Sequence, residues 1–152
     1  MNAKRERVAS LIRDAFHGVT LGNGVGIWEG RALDDYADGH GIAAARQRDE
    51  RMDWSAITID DLSECESSLS FADAEGVRFL LPAFLLAQLE DSLPAGVTFD
   101  LTRRHRPEEH FAALSPAQRT AVREFLLVLR DEPNYAYYRA DIDRSLGTLW
   151  TK

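Results

Sequence analysis

The stretch Ser70–Leu93, SFADAEGVRFLLPAFLLAQLEDSL, is the longest apolar run of the chain and the only one hydrophobic on most sides. Val77, Leu80, Leu81, Phe84 and Leu89 fall close to the i, i+3, i+4, i+7 spacing of a helix, while Phe79, Ala83, Leu86 and Ala87 carry apolar surface onto the flanks. A helix with so little polar face has to be central and packed against several partners. Ser70 and Asp73 stand three apart, the spacing of a capping box in which each side chain satisfies the other's free N–H. Pro82 lacks an N–H and crowds the carbonyl of Arg78, so the run is either one kinked helix or two short ones; the kinked helix is the expectation.

Working outward, the flanking segments are also helical in pattern. Residues 3–16 place Val8, Leu11, Ile12, Ala15 and Phe16 on one face, with charged residues elsewhere, and His17-Gly18 marks the end. Residues 31–37 predict a short helix, 42–52 an exposed one, and Asp60 or Asp61 a cap for a helix through Leu62, Cys65 and Leu69. Ser115, Pro116 and Gln118 make a helix start with a capping box, and Ala121, Val122, Phe125, Leu126 and Leu129 form the inward face that follows, leaving Arg119, Arg123, Glu124 and Arg130 in water. Asn134–Leu149 predicts a last helix, with Tyr137 and Trp150 on the surface. After a turn at Pro94-Ala95-Gly96, Val97–Leu101 alternates in the manner of a strand and would need the Val25–Trp28 segment as partner. The expected fold is therefore mainly α: a single compact helical domain over residues 1–152 around a Pro-kinked central helix, with a small two-stranded β patch.

Composition narrows the function classes. Cys65 is the only cysteine, which removes an internal disulfide framework and suits a reducing compartment. The N-terminus lacks a continuous apolar signal core, and the central run meets charge within about 18 residues, too short for a bilayer span, so a cytoplasmic protein without membrane contact is expected. From Glu29 to Glu66 eleven acids face four arginines, and residues 67–101 add five acids and one arginine, so that residues 29–101 carry −11 in a chain whose total is −7. Nucleic acid is a poor match for such a middle; a basic protein surface is the natural partner.

Chemical motifs are weak throughout. GNGVGIWEG at residues 22–30 lacks the Lys-Ser/Thr of a phosphate loop. Asp34, Asp35, Asp38 and His40 lack the alternation of a calcium loop, and HRPEEH holds its histidines five apart around a proline, unlike a zinc-protease helix and more like an exposed loop. Cys65 between Glu64 and Glu66 is no activated nucleophile. No metal, cofactor or catalytic residue is expected. Polar groups that could gather at one site are Glu29, Asp34, Asp35, Asp38, Asp49, Glu50, Asp73, Glu75 and Arg78; carboxylates beside an arginine in a crevice could serve acid/base chemistry, whereas Glu75 and Arg78 could simply pair along the helix.

Leu33-Asp34-Asp35-Tyr36, Arg48-Asp49-Glu50, Asp53-Trp54, Ser68-Leu69-Ser70-Phe71, Asp73-Ala74-Glu75-Gly76, Arg78-Phe79, Leu81-Pro82-Ala83-Phe84, Phe111, Leu114, Gln118 and Phe125-Leu126 together resemble a family of small uncharacterised bacterial proteins. The resemblance spans about residues 8–130, leaves the C-terminal helix at 133–152 outside, and implies no activity. Some small acidic bacterial domains of this kind are immunity proteins, an analogy that makes a basic toxin domain one expected partner. Two functions of different class follow: a non-catalytic acidic binding protein of immunity type, or a small-molecule binder or hydrolase using clustered carboxylates.

Overall fold

Asp73 opens the helix on which the fold is built, and Pro82 does not break it. In the computed structural model, which describes residues 1–93 and 96–151, the central helix α6 runs unbroken over Ala74–Leu89 with Pro82 inside it. The preceding helices are α1 Ala3–Ala15, α2 Ile27–Asp34, α3 Gly39–Arg48, α4 Ile59–Glu64 and α5 Ser68–Phe71, with a 3-10 turn at Trp54–Ala56; α7 Thr98–Arg103, α8 Pro107–His110, α9 Pro116–Arg130, a 3-10 segment Pro133–Tyr138 and α10 Arg139–Thr148 follow. No strand occurs among the described residues.

Twelve of the sixteen residues of α6 are buried, so α1, α4, α5, α8 and the first 3-10 turn all pack against it. Asp73 caps it by accepting from Gly76 N at 2.9 Å. Ser70 is not its capping-box partner: the chain is extended at Ala72, which leaves Ser70 on the separate helix α5, where its Oγ donates to Asp100 at 2.8 Å. The far end of α6 is closed from α1. Arg5, expected off the apolar face with the other charges of that helix, is buried and donates Nη1 to the Leu89 carbonyl at 2.6 Å, while Nε and Nη2 hold Glu132 at 2.9 and 2.5 Å. One guanidinium thereby joins α1, the last turn of α6 and the segment after α9.

Gln88 is the polar exception among the buried residues of α6, and it converts the predicted strand into a helix. Its Oε1 accepts from Val97 N at 2.7 Å and its Nε2 donates to Thr98 Oγ1 at 2.9 Å, which fixes the start of α7 from outside the helix. Val97 and Leu101 then bury together at i, i+4, while Phe99, which strand alternation would have buried with them, is 57% exposed. The Val25–Trp28 segment is no strand either, because α2 begins at Ile27. Gly96 has φ 60°, and a Cβ there would lie 2.3 Å from the Gln88 amide, so this turn needs glycine twice over. The Pro94 and Ala95 part of the predicted turn lies outside the described residues.

The capping box of α9 forms as its residues predict, and Ala121, Val122, Phe125, Leu126 and Leu129 are buried. Two arginines of its opposite face behave differently. Arg119 donates to the Leu149 carbonyl at 2.5 Å, and Arg123 to the carbonyls of Leu146 and Trp150 at 3.3 and 2.6 Å, so they hold the end of α10 rather than face water. Trp150 is wholly buried, not on the surface: its Nε1 donates to the Leu101 carbonyl at 2.9 Å, and its ring meets Phe111 edge-on. Tyr137 is exposed as expected. The helix predicted over 134–149 is divided between the 3-10 segment and α10, and Thr58, rather than Asp60 or Asp61, caps α4.

Phe84→Ala is expected to destabilise the domain by about 3 to 5 kcal/mol in urea unfolding, since it empties the centre of the most buried helix. Arg5→Ala is expected to lose about 2 to 4 kcal/mol, between the loss of one charged hydrogen bond and that of a buried ion pair. Adding Glu132→Ala should recover part of that loss, because it removes the carboxylate left without a partner.

Candidate functional site

Most of the candidate carboxylates bind the protein's own backbone. Asp38 caps α3 by accepting from Gly41 N at 2.8 Å, and Glu50 accepts from Met52 N and Asp53 N at 3.0 and 3.2 Å. Asp73 binds Val25 N at 3.0 Å in addition to capping α6. Asp49 lies at the N-terminus of α2, where it accepts from Trp28 N at 2.6 Å and Glu29 N at 3.4 Å. Gly26 allows that approach, since a Cβ there would fall 2.4 Å from the Asp49 carboxylate. The glycine-rich loop thus opens a helix N-terminus to an internal anion, in the position a phosphate would take. Burial pushes the Asp49 carboxyl above its ordinary range, opposed by these two N–H groups.

The other candidates are held by side chains or stand free. Glu29 is buried and paired with Arg46; Asp34 accepts from Ser67 Oγ at 2.7 Å. Asp35 lies 3.6 Å from Arg31 Nε, and the same guanidinium reaches Glu64 at 3.2 Å, which draws the end of α2 and the end of α4 onto one side of the molecule. Glu75 is exposed and makes no ion pair with Arg78, whose Nε is buried without a hydrogen-bond partner. The nine residues are held at several local sites: Glu29 and Asp49 lie side by side at the start of α2 and Asp34 and Asp35 at its end, while Asp38, Glu50 and Asp73 bind turns and helix starts. No group of three or more His, Cys, Asp or Glu that could hold a metal ion occurs among the described residues. Burial pushes the Cys65 thiol up to about 11.

Two concavities are lined mostly by other residues, with Asp73 alone of the nine lining one of them. A groove of about 720 Å³ has an apolar floor that includes Trp54, Ile57, Leu62 and Leu86, with Arg13, Asp53 and Glu90 also in its lining. A cleft of about 640 Å³ lies between the start of α6 and the α7–α8 connection. Arg103, Arg104, His105 and Arg106 line it together with Ser70, Phe99 and His110. His105 and Arg106 open the HRPEEH segment that reads from the sequence as an exposed loop. Arg106 takes a left-handed φ of 53°, Pro107 starts α8, and His110 closes that helix in a buried position. Arg104 crosses the cleft, donating Nη2 to the Ser70 carbonyl at 2.9 Å with Nη1 3.7 Å from Asp100, whose carboxyl burial pushes upward.

A model of the family of unknown function DUF6714 matches residues 4–152. The chain belongs to that family. The match includes the C-terminal segment, which the motif resemblance had left outside, in keeping with a buried Trp150. No curated protein and no solved structure matches the chain. No helix among the described residues is long and apolar enough to cross a membrane.

His110 escaped the sequence reading because a histidine five residues from another beside a proline matches no ligand spacing; the one available signal was the apolar Phe111 beside it. Burial, with Arg104 nearby, lowers its pKa from 6.5 to about 4. The folded pKa lies below the unfolded value, so the neutral ring contributes stability that is present above about pH 6.5 and is lost as pH falls through about 4. His110→Phe should flatten the fall in urea midpoint between pH 7 and pH 4.5; an unchanged fall would place the acid sensitivity in other groups.

Proposed function

We propose that the domain is a non-catalytic binding protein that engages a basic protein surface through the corner between α2 and α3. The observation that carries this reading is Tyr36, 95% exposed and held at a left-handed φ of 56° directly after Asp34 and Asp35. A bulky residue in that conformation is strained, and an aromatic ring wholly in water gains nothing from the fold. Around it, the side chain of Asp35 is 63% exposed, and Asp38 and, through the Arg31 bridge, Glu64 contribute further acid; Glu66 follows in water. An exposed tyrosine directly after two acids is a side-chain set suited to a cationic partner surface, the ring supplying buried area and the carboxylates steering encounter.

A basic toxin domain, neutralised in the manner of an immunity protein, is the partner chemistry we favour; the acidic stretch supports it by charge and the immunity comparison by analogy alone. The hydrolase or small-molecule reading gains no support from the placement of its carboxylates, because backbone N–H groups or local side-chain partners hold most of them separately.

Two variants separate binding from folding. Tyr36→Gly removes the ring and relieves the left-handed strain, so stability should stay within about 1 kcal/mol of the wild type. Because an immunity protein is encoded beside its toxin, the partner to use is the product of the adjacent gene, and affinity for it, measured with both proteins purified, should fall about tenfold or more. Asp35→Lys with Glu66→Lys should slow association more than it speeds dissociation, and raised salt should have the same effect on the wild type. Equal association rates for all three proteins would reduce the acidic corner to a device for solubility.

A further inference from the structure

The cleft at the start of α6 presents hydrogen-bond donors that the protein leaves largely unused. Each guanidinium carries five N–H groups. Arg103 commits Nε to Asp141 at 2.7 Å, a carboxylate that also receives Arg144 at 2.9 Å. Arg104 commits Nη2 to the Ser70 carbonyl, and its Nε is buried with no partner. Arg106 comes no nearer to an acid than 3.9 Å from Glu109, with both side chains mostly in water. Formal charge in the cleft balances, since Asp73, Asp100 and Glu109 also line it. Two of these carboxylates are already engaged, Asp73 by two backbone N–H groups and Asp100 by Ser70 Oγ, whereas among the described residues the Arg106 guanidinium makes no hydrogen bond and that of Arg103 is held only through Nε. Beside these donors stands Phe99, 57% exposed on the face of α7 opposite the buried Val97 and Leu101.

We infer that this cleft is a binding site for a small organic oxyanion, a phosphate or carboxylate borne on a flat apolar or aromatic group. Arg103 and Arg106 supply paired N–H donors to the anion, the geometry for which guanidinium is suited, and Phe99 covers the apolar part. A volume of about 640 Å³ accommodates such a ligand. The site is independent of the acidic corner at Tyr36, and neither reading needs the other.

The test titrates the 152-residue chain with phenyl phosphate, benzoate, inorganic phosphate and, at matched ionic strength, sodium chloride. Binding is followed by calorimetry and by the ring C–H resonances of His105 and His110, both in the cleft lining. Saturable shifts with phenyl phosphate or benzoate are expected, and which of the two binds more tightly decides between phosphate and carboxylate. Arg103→Gln with Arg106→Gln should weaken that binding roughly tenfold or more, as the loss of a hydrogen bond to a charged group predicts. Arg106→Gln alone, at a largely exposed side chain, serves if the double variant folds poorly. Phe99→Ala should weaken the two aryl compounds and leave inorganic phosphate unaffected. The inference is overturned if neither aryl compound saturates, if sodium chloride reproduces the shifts, or if the arginine variants bind as tightly as the wild type.

Discussion

A helix without a polar face cannot lie on a surface, and this constraint on α6 organises the whole molecule. Its sides are covered by α1, α4, α5, α8 and the first 3-10 turn, and its two ends are closed by side chains of opposite charge: Asp73 on the first-turn N–H of Gly76, Arg5 on the Leu89 carbonyl. This polarity follows the helix dipole, with the anion at the N-terminus and the cation at the C-terminus. Gln88, the one long polar side chain buried in the helix, has its amide engaged by Val97, Thr98 and Tyr135, and so sets where the chain re-enters as α7. Pro82 is tolerated within this frame because tertiary packing on all sides offsets the loss of one hydrogen bond.

The acidity of the middle of the chain acquires a different meaning once these contacts are on view. Asp38, Asp49, Glu50 and Asp73 each satisfy backbone N–H groups at helix starts or turns, where a buried first turn cannot be left unpaired. Many short helices require many caps, and Asp is among the best residues for the task. Much of the −11 carried by residues 29–101 is therefore electrostatics of the fold itself. What remains for recognition is local: Tyr36 with its exposed acids at one corner, and the arginines beside Phe99 in the cleft of α7 and α8. The two places have opposite chemistry, which makes separate ligands the natural expectation.

Elements with a long, regular apolar period were legible from residues alone. The buried sides of α1, α6 and α9 were visible, as was the capping box at Ser115 and Gln118. Short segments were not. Val97–Leu101 is too brief for its alternation to separate a strand from a helix, and the deciding contact comes from Gln88, nine or more residues away in the chain. Ser70 and Asp73 had capping-box spacing, yet the extended residue Ala72 between them divides the run into two helices. Charged residues misled in one direction: Arg119 and Arg123 read as solvated and Arg5 as off the apolar face, and each instead closes the carbonyl end of another helix. The candidate site was legible as a set of acids but not as a place, since their partners are mostly backbone groups that sequence does not position.

The amino-acid sequence by itself determined a mainly α domain with one central helix, because apolar periodicity and caps are properties of consecutive residues; that the expected β patch is helical as well was decided by tertiary contacts. The tertiary structure alone decided the rest: that Trp150 belongs to the core, that Asp49 fills the helix N-terminus opened by Gly26, and that the run from Arg103 to Arg106 faces a cleft. Each depends on contacts between residues about twenty to fifty apart in the chain or on how a short connection turns, and no local pattern encodes which distant carbonyl or N–H a side chain will meet.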